Sequence, residues 1–158
     1  MNNKDQILAF SLDLATKAHI NQKRNDGSPY INHIIAVAEI TKSYRGKYIY
    51  SDDLIIILQI LAHHDHSEDL GIPEEEIINT FIDNGFIIKD SPEYNLLTDS
   101  LYLLNKHHFD SYFHYIMAIK ENFLASLVKR ADLTHNLSDL KPGTLRDKYE
   151  LAKWILEN

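Results

Sequence analysis

The sequence predicts an all-α domain of about seven or more helices. Three observations carry that expectation. Apolar residues recur at the three- and four-residue spacing of a helix in segment after segment. Glycine and proline punctuate the stretches between those segments. No convincing pair of alternating apolar and polar runs offers a strand pairing, and no internal repeat or low-complexity tract interrupts the pattern. A chain of 158 residues is most simply one domain, 1–158, long enough to bury a real core.

Taken in order, residues 5–19 place Ile7, Leu8, Leu14, Ala15 and Ala18 at helical spacing, with Asp5 near the end that a helix dipole makes positive. The polar segment 21–29 (NQKRNDGSP) holds Lys23, Arg24 and an Asp26-Gly27 turn signal. A second helix starts near Tyr30, with His33 in its first turn and Ile31, Ile34, Ile35 and Ala38 facing inward. Residues 44–51 read as a loop, and Ser51-Asp52 can cap the next helix. That helix is the one the chain is organised around. Its apolar run, residues 54–62 with Gln59 as the one polar member, contains neither glycine nor proline and reads as buried on most of its circumference.

Gly71 ends that helix, and Pro73 followed by Glu74, Glu75 and Glu76 starts another, with proline in the first turn and acids at the positive end. Residues 83–93 are turn-rich, and Ser91-Pro92-Glu93 opens a helix through Leu104. Further helices cover about 110–122 and 123–140, the latter with Leu124, Leu127, Val128, Ala131 and Leu137 on one side. Pro142-Gly143 breaks the pattern, and a last helix carries Leu145, Tyr149, Ala152, Trp154 and Ile155.

Composition narrows the function. A formal charge of −7 argues against a general DNA or RNA binder, because such proteins carry net positive surfaces. A small phosphorylated ligand remains compatible if cations are concentrated locally. The absence of cysteine excludes disulfides and thiolate metal sites. No segment has the uninterrupted apolar length of a membrane span, and MNNKDQ lacks the basic-then-apolar layout of a leader. The expectation is a cytoplasmic protein.

Ligand-type and acid/base side chains stand beside apolar stripes where polar residues are out of place: His33, His64, Asp65, Glu68, Asp69, Asp132, His135 and Asn136. If the central helix continues through its polar end, Asp65, Glu68 and Asp69 lie on one face with His64 above Glu68. Three carboxylates at that spacing repel by about 0.2–0.5 kcal/mol per exposed pair, and by more when desolvated. They ask for a cation, a proton or water, and a divalent metal is the sharpest of these answers. The run His63-His64-Asp65-His66 cannot all reach one ion, since neighbours on a helix point about 100° apart. His107, His108 and His114 read as surface or structural groups. The residues alone thus define a helical protein with a metal or acid/base site.

In combination, these segments resemble the HD-domain phosphohydrolases, and within them the hydrolase domain of the RelA/SpoT-type enzymes. AHINQKRNDGSPYINH (18–33) resembles the entry segment A-H-x-x-Q-x-R-x-x-G-x-P-Y-x-x-H. LAHHDHSEDL (61–70) holds an H-D-x-x-E-D signature as His64, Asp65, Glu68 and Asp69. Residues 112–137 end in a K-x-A-D-x-x-H-N element as Lys129, Ala131, Asp132, His135 and Asn136. The resemblance implies a single HD-type helical bundle and one divalent metal, manganese by preference with iron or zinc also fitting, held by His33, His64, Asp65 and Asp132.

It further implies Glu68 and Asp69 as the acid/base pair, Arg24 and Asn136 holding a small phosphorylated nucleotide, and Lys23 or Lys129 meeting its phosphates. The implied reaction is release of pyrophosphate from the 3′ ester of guanosine tetraphosphate or pentaphosphate. Alternatives are another nucleotide, such as the 2′-phosphate of NADPH or a nucleoside monophosphate, or a metal- or nucleotide-binding module without turnover. The chain departs from the family pattern at His63, His66 and Ser67, where apolar residues are usual, and at Thr134. With no synthetase or regulatory domain in its 158 residues it resembles the small stand-alone hydrolases. The oligomeric state is left open.

Overall fold

Caps and breakers divide the described residues, 3–44 and 51–158 of a computed structural model, into nine α-helices and one 3-10 turn. These are α1 (Asn3–Ala18), α2 (Ile31–Ser43), α3 (Asp52–Leu61), α4 (Asp65–Leu70), α5 (Glu74–Asp83), α6 (Pro92–Leu103), the 3-10 turn Lys106–His108, α7 (Tyr112–Lys120), α8 (Phe123–Leu137) and α9 (Thr144–Glu157). Strand pairing among the described residues is limited to one isolated bridge, Lys23 with Pro29. The expected all-α class is what forms. Most of the expected 44–51 loop, residues 45–50, lies outside the described residues.

Local chemistry sets several helix starts. The side chains of Ser51, Ser91, Ser111 and Asn122 accept from Leu54, Tyr94, His114 and Ala125 N–H, satisfying donors that a first turn leaves open. Gly71 takes the left-handed conformation, φ +68°, that closes α4. Two helices form the centre. On α3 every residue from Ile55 to Leu61 is buried, and α8 buries nine residues between Leu124 and Leu133. α1, α2 and α6 pack on both of them or on α3 alone, and α7 and α9 close over α8. The core runs from Ile7 and Val37 through Phe81, Leu97 and Leu101 to Tyr115, each 1% exposed or less.

The structure departs from the expected pattern in four places. Ile35 is 39% exposed, and Val37 fills the core in its stead. The cause is that α2 turns His33, Ile34, Val37 and Thr41 inward, and burying His33 rotates Ile35 to the opposite side. The helix expected over 123–140 stops at Leu137, where Arg146 from α9 reaches back to the Leu137 and Leu140 carbonyls. Trp154 is 62% exposed, so α9 buries the expected Ala152 together with Leu156.

The fourth difference matters most. The central helix does not run on to Asp69. Between α3 and α4 the chain tightens, with His63 N–H donating to Ile60 O at 2.9 Å and His64 N–H to Leu61 O at 3.0 Å, three residues back instead of four. No glycine or proline marks this break. It lets His63, His64, Asp65 and His66 all be buried, which an uninterrupted helix against one neighbour would not allow. Among the described residues no helix is long and apolar enough to cross a membrane.

Candidate active site

The break sends adjacent side chains to two sides. His64 and Asp65 turn toward α2 and α8; His63 and His66 turn away and stack on each other, with His66 also stacked on His19. On the first side α2 contributes His33 and α8 contributes Asp132. His33 Nε2 stands 2.8 Å from Asp132 Oδ1 and 3.6 Å from Asp65 Oδ2, and these three residues are 1–4% exposed. His64 Nε2 is 3.0 Å from Asp65 Oδ1 without the alignment of a hydrogen bond, while its Nδ1 faces Leu61 O at 3.2 Å. Two overlapping ligand sets result, His33–Asp65–Asp132 and His64–Asp65–Glu68, sharing Asp65.

Four partners fix these groups. Lys129 Nζ donates to Asp132 Oδ2 at 2.7 Å, and Asn136 Nδ2 to Asp132 Oδ1 at 3.1 Å. Tyr30 Oη donates to Asp65 Oδ2 at 3.0 Å. His135 and His33 share a proton across a 2.7 Å Nδ1–Nδ1 contact, so the tautomer of His135 decides which nitrogen of His33 keeps its lone pair. Burial first, then the charges of His33 and Arg24, lower the pKa of His135 and favour its neutral form.

Electrostatics follow from this packing. Burial pushes the Asp132 carboxyl up, but the Lys129 ammonium and the His33 hydrogen bond outweigh it and hold Asp132 well below the usual range. Burial lowers His64, yet Asp65 beside it, with Asp132 and Glu68, raises its pKa to about 9. Glu68 behaves in the opposite sense to Asp132. Burial raises its pKa, and the charges of Lys129 and His64 only partly offset that. Burial and the charges of Asp65 and Asp69 push the Tyr30 phenol far above its ordinary value, so it remains a donor.

These residues fit a divalent cation. The buried His64 Nε2 has no hydrogen-bond partner, and His33 Nε2 faces two carboxylates, an arrangement that needs either a proton on that nitrogen or a cation in its place. Imidazole with carboxylate suits manganese, iron or zinc.

The remaining expected residues line two joined cavities. Lys23, Arg24 and Asn136 border an open cleft of about 700 Å³, where Arg24 Nη2 approaches Asn136 Oδ1 at 3.4 Å and Asp139 at 3.3 Å. Beneath it, sharing Tyr30, Asn136 and Tyr149, lies a pocket of about 200 Å³ bordered by Asp65, Glu68, Asp69 and Asp132, and by Lys106, Lys129 and Lys148. Lys129 is 6% exposed and already paired with Asp132, so its ammonium offsets an internal charge before it can meet a phosphate.

Sequence reasoning passed over several of these groups. The sequence presents Tyr30 only as a helix start and His135 without a role. Lys106, Lys148 and Tyr149 carry no local signal, since the 3-10 turn and α9 reach the pocket only through tertiary packing. His107 and His108, read as surface or structural, tether that turn: His107 Nε2 approaches Glu68 O at 3.1 Å, and His108 pairs with Glu74 and stacks on Tyr102 at 4.1 Å.

An all-α bundle with histidines and aspartates from α2, α4 and α8 converging below a cleft is consistent with the HD-domain hydrolase reading. The chain resembles two curated proteins of the RelA/SpoT type. It is 29% identical over 154 residues to a guanosine-3′,5′-bis(diphosphate) 3′-pyrophosphohydrolase of Haemophilus influenzae, covering 91% of this chain and 20% of that protein. It is also 29% identical over 145 residues to the GTP pyrophosphokinase rsh of Brucella melitensis biotype 1, covering 87% and 17%. The chain therefore spans about a fifth of the length of these relatives. No family model matches it.

Proposed function

We propose that this chain is a metal-dependent phosphohydrolase that takes a small phosphorylated nucleotide. The substrate we propose is guanosine tetraphosphate or pentaphosphate, cleaved at its 3′ ester to release pyrophosphate. The observation that carries the reading is the meeting of His33, Asp65 and Asp132, buried and brought from three helices, with Asp65 and Asp132 bordering a pocket that Lys106, Lys129 and Lys148 also line. The names of the two relatives support the choice of substrate. Such a nucleotide is soluble and intracellular, so the proposed site of action is the cytoplasm.

In this reading His33, His64, Asp65 and Asp132 would hold the cation, manganese by preference. When bound, a divalent cation there supplies positive charge that eases deprotonation of water and offsets charge developing on a phosphoryl oxygen. The chain's own residues do the rest. Glu68, whose carboxyl pKa is raised by burial, is the group that exchanges a proton with water. Asp69, one residue on and bordering the same pocket, holds that water in line. Arg24, Lys23 and Asn136 orient the nucleotide in the outer cleft, while Lys106 and Lys148 bring positive charge to the inner pocket.

The test is incubation of purified protein and manganese with ppGpp, scoring GDP and pyrophosphate. Glu68→Gln and Asp69→Asn should each keep the metal and lose about 10²–10⁴ in rate, as removal of a general acid or base does. Turnover that survives both changes would reject the catalytic assignment. No product at high enzyme would reject the substrate, and orthophosphate from NADPH or a nucleoside monophosphate would redirect it. Metal uptake with no turnover of any nucleotide would favour a binding module.

A further inference from the structure

Asp69 is solvent-exposed on a six-residue helix, an unpromising place to hold a reacting carboxylate still. One side chain nevertheless ties it to the interior. Gln22 Nε2 donates to Asp69 Oδ2 at 3.0 Å, across 47 residues of chain. The other end of that amide, Oε1, stands 2.7 Å from His19 Nδ1. His19 is 3% exposed and sandwiched between the Tyr30 ring, at 5.0 Å, and the His66 ring, stacked at 4.8 Å.

The direction of each proton follows. An amide oxygen only accepts, so His19 Nδ1 carries the hydrogen. Its Nε2 is buried with no partner, a position far less costly for a bare lone pair than for an N–H, which selects the same tautomer. With Oε1 claimed by His19, the amide nitrogen must face Asp69. The flipped amide would set oxygen against carboxylate. The backbone holds Gln22 in place as well, with Gln22 N–H donating to His19 O and Tyr30 N–H to Gln22 O, each at 3.0 Å.

We propose that His19 and Gln22 are positioning residues, a two-step hydrogen-bond relay from the buried imidazole stack that fixes the Asp69 carboxylate for hydrolysis. The relay holds the carboxylate through Oδ2. This rests on the assignment of Asp69 to the reaction given above. His66, stacked on His19, extends the support into α4 itself, so one ring stack locks both ends of the loop-to-helix tether.

The experiment compares four full-length proteins: wild type, Gln22→Leu, His19→Phe (ring kept, donor lost) and His19→Asn (donor kept). The expected result is a kcat reduced about 10- to 100-fold in Gln22→Leu and His19→Phe, as loss of alignment costs, with KM and metal content unchanged. His19→Asn, whose amide can take the place of Nδ1–H, should recover most of the loss. A raised KM at unchanged kcat, lost metal, or His19→Asn no better than His19→Phe would overturn the relay.

A readout without turnover separates this proposal from the functional one. In 15N-labelled protein the Gln22 side-chain amide pair, identified by its loss in Gln22→Leu, should move in both His19→Phe and Asp69→Asn. If it stays put in either, the relay is wrong whatever the enzyme hydrolyses. If it moves but no nucleotide is turned over, the tether stands and the reaction assignment fails.

Discussion

Replacing His63 by leucine should stabilise the protein, and by more in acid than at neutral pH. His63 is 1% exposed, its Nδ1 has no hydrogen-bond partner, and it lies against the His66 ring at 5.1 Å and the Phe81 ring at 6.0 Å. Burial, then the neighbouring His66, His19 and His64, lower its pKa from 6.5 to about 3. The sign follows from that depression. Below pH 6.5 the unfolded chain takes up a proton at this ring while the folded one does not, so stability falls as pH falls toward 3.

Between about pH 8 and about pH 5 the loss is RT ln(1 + 10^1.5), about 2 kcal/mol, and it barely depends on the folded pKa while that stays below about 4. His63→Leu removes this term, and at either pH it also removes an orphaned buried polar atom worth about 1–3 kcal/mol. Urea unfolding of metal-free wild type and variant at the two pH values measures both. The opposite contribution of His64, whose raised pKa stabilises below pH 6.5 and fades as pH rises through about 9, is common to the two proteins. Equal losses of stability between the two pH values would refute a neutral buried His63.

Two further predictions concern the proposed metal ligands. Because His64 is held at about 9 in the metal-free protein, a cation taken up through it should release about one proton at neutral pH, and affinity should rise about tenfold per pH unit below that value. Calorimetry in buffers of different ionisation enthalpy counts the protons, and uptake without release would remove His64 from the ligand set. Asp132→Asn should cost about 3–5 kcal/mol in urea unfolding, because it leaves the buried Lys129 ammonium without its countercharge. Adding Lys129→Met should restore stability but not metal binding. A loss under about 1 kcal/mol in the single variant would contradict the buried pair.

The fold class and most helix ends were legible because their causes are local. Ser51, Ser91 and Gly71 act within a few residues of where they stand, and a period of 3.6 in apolar side chains needs no partner to be read. Ile35 failed that reading because a stripe of isoleucines leaves the buried face undecided. The choice fell to His33, which α8 draws inward. The break after Leu61 carried no breaker at all, since it results from burying four consecutive polar side chains.

At the candidate site, the sequence by itself determined the stock of residues. Acids and imidazoles set against apolar stripes, without any thiol, limit the chemistry to nitrogen and oxygen ligands and to proton transfer. Only the tertiary structure decided what each one does. It paired Lys129 with Asp132, set His135 to fix the tautomer of His33 and tied Asp69 to His19 through Gln22. The physical reason is range. His33 and Asp132 are 99 residues apart in the chain and 2.8 Å apart in space, and a hydrogen bond depends on the second distance alone.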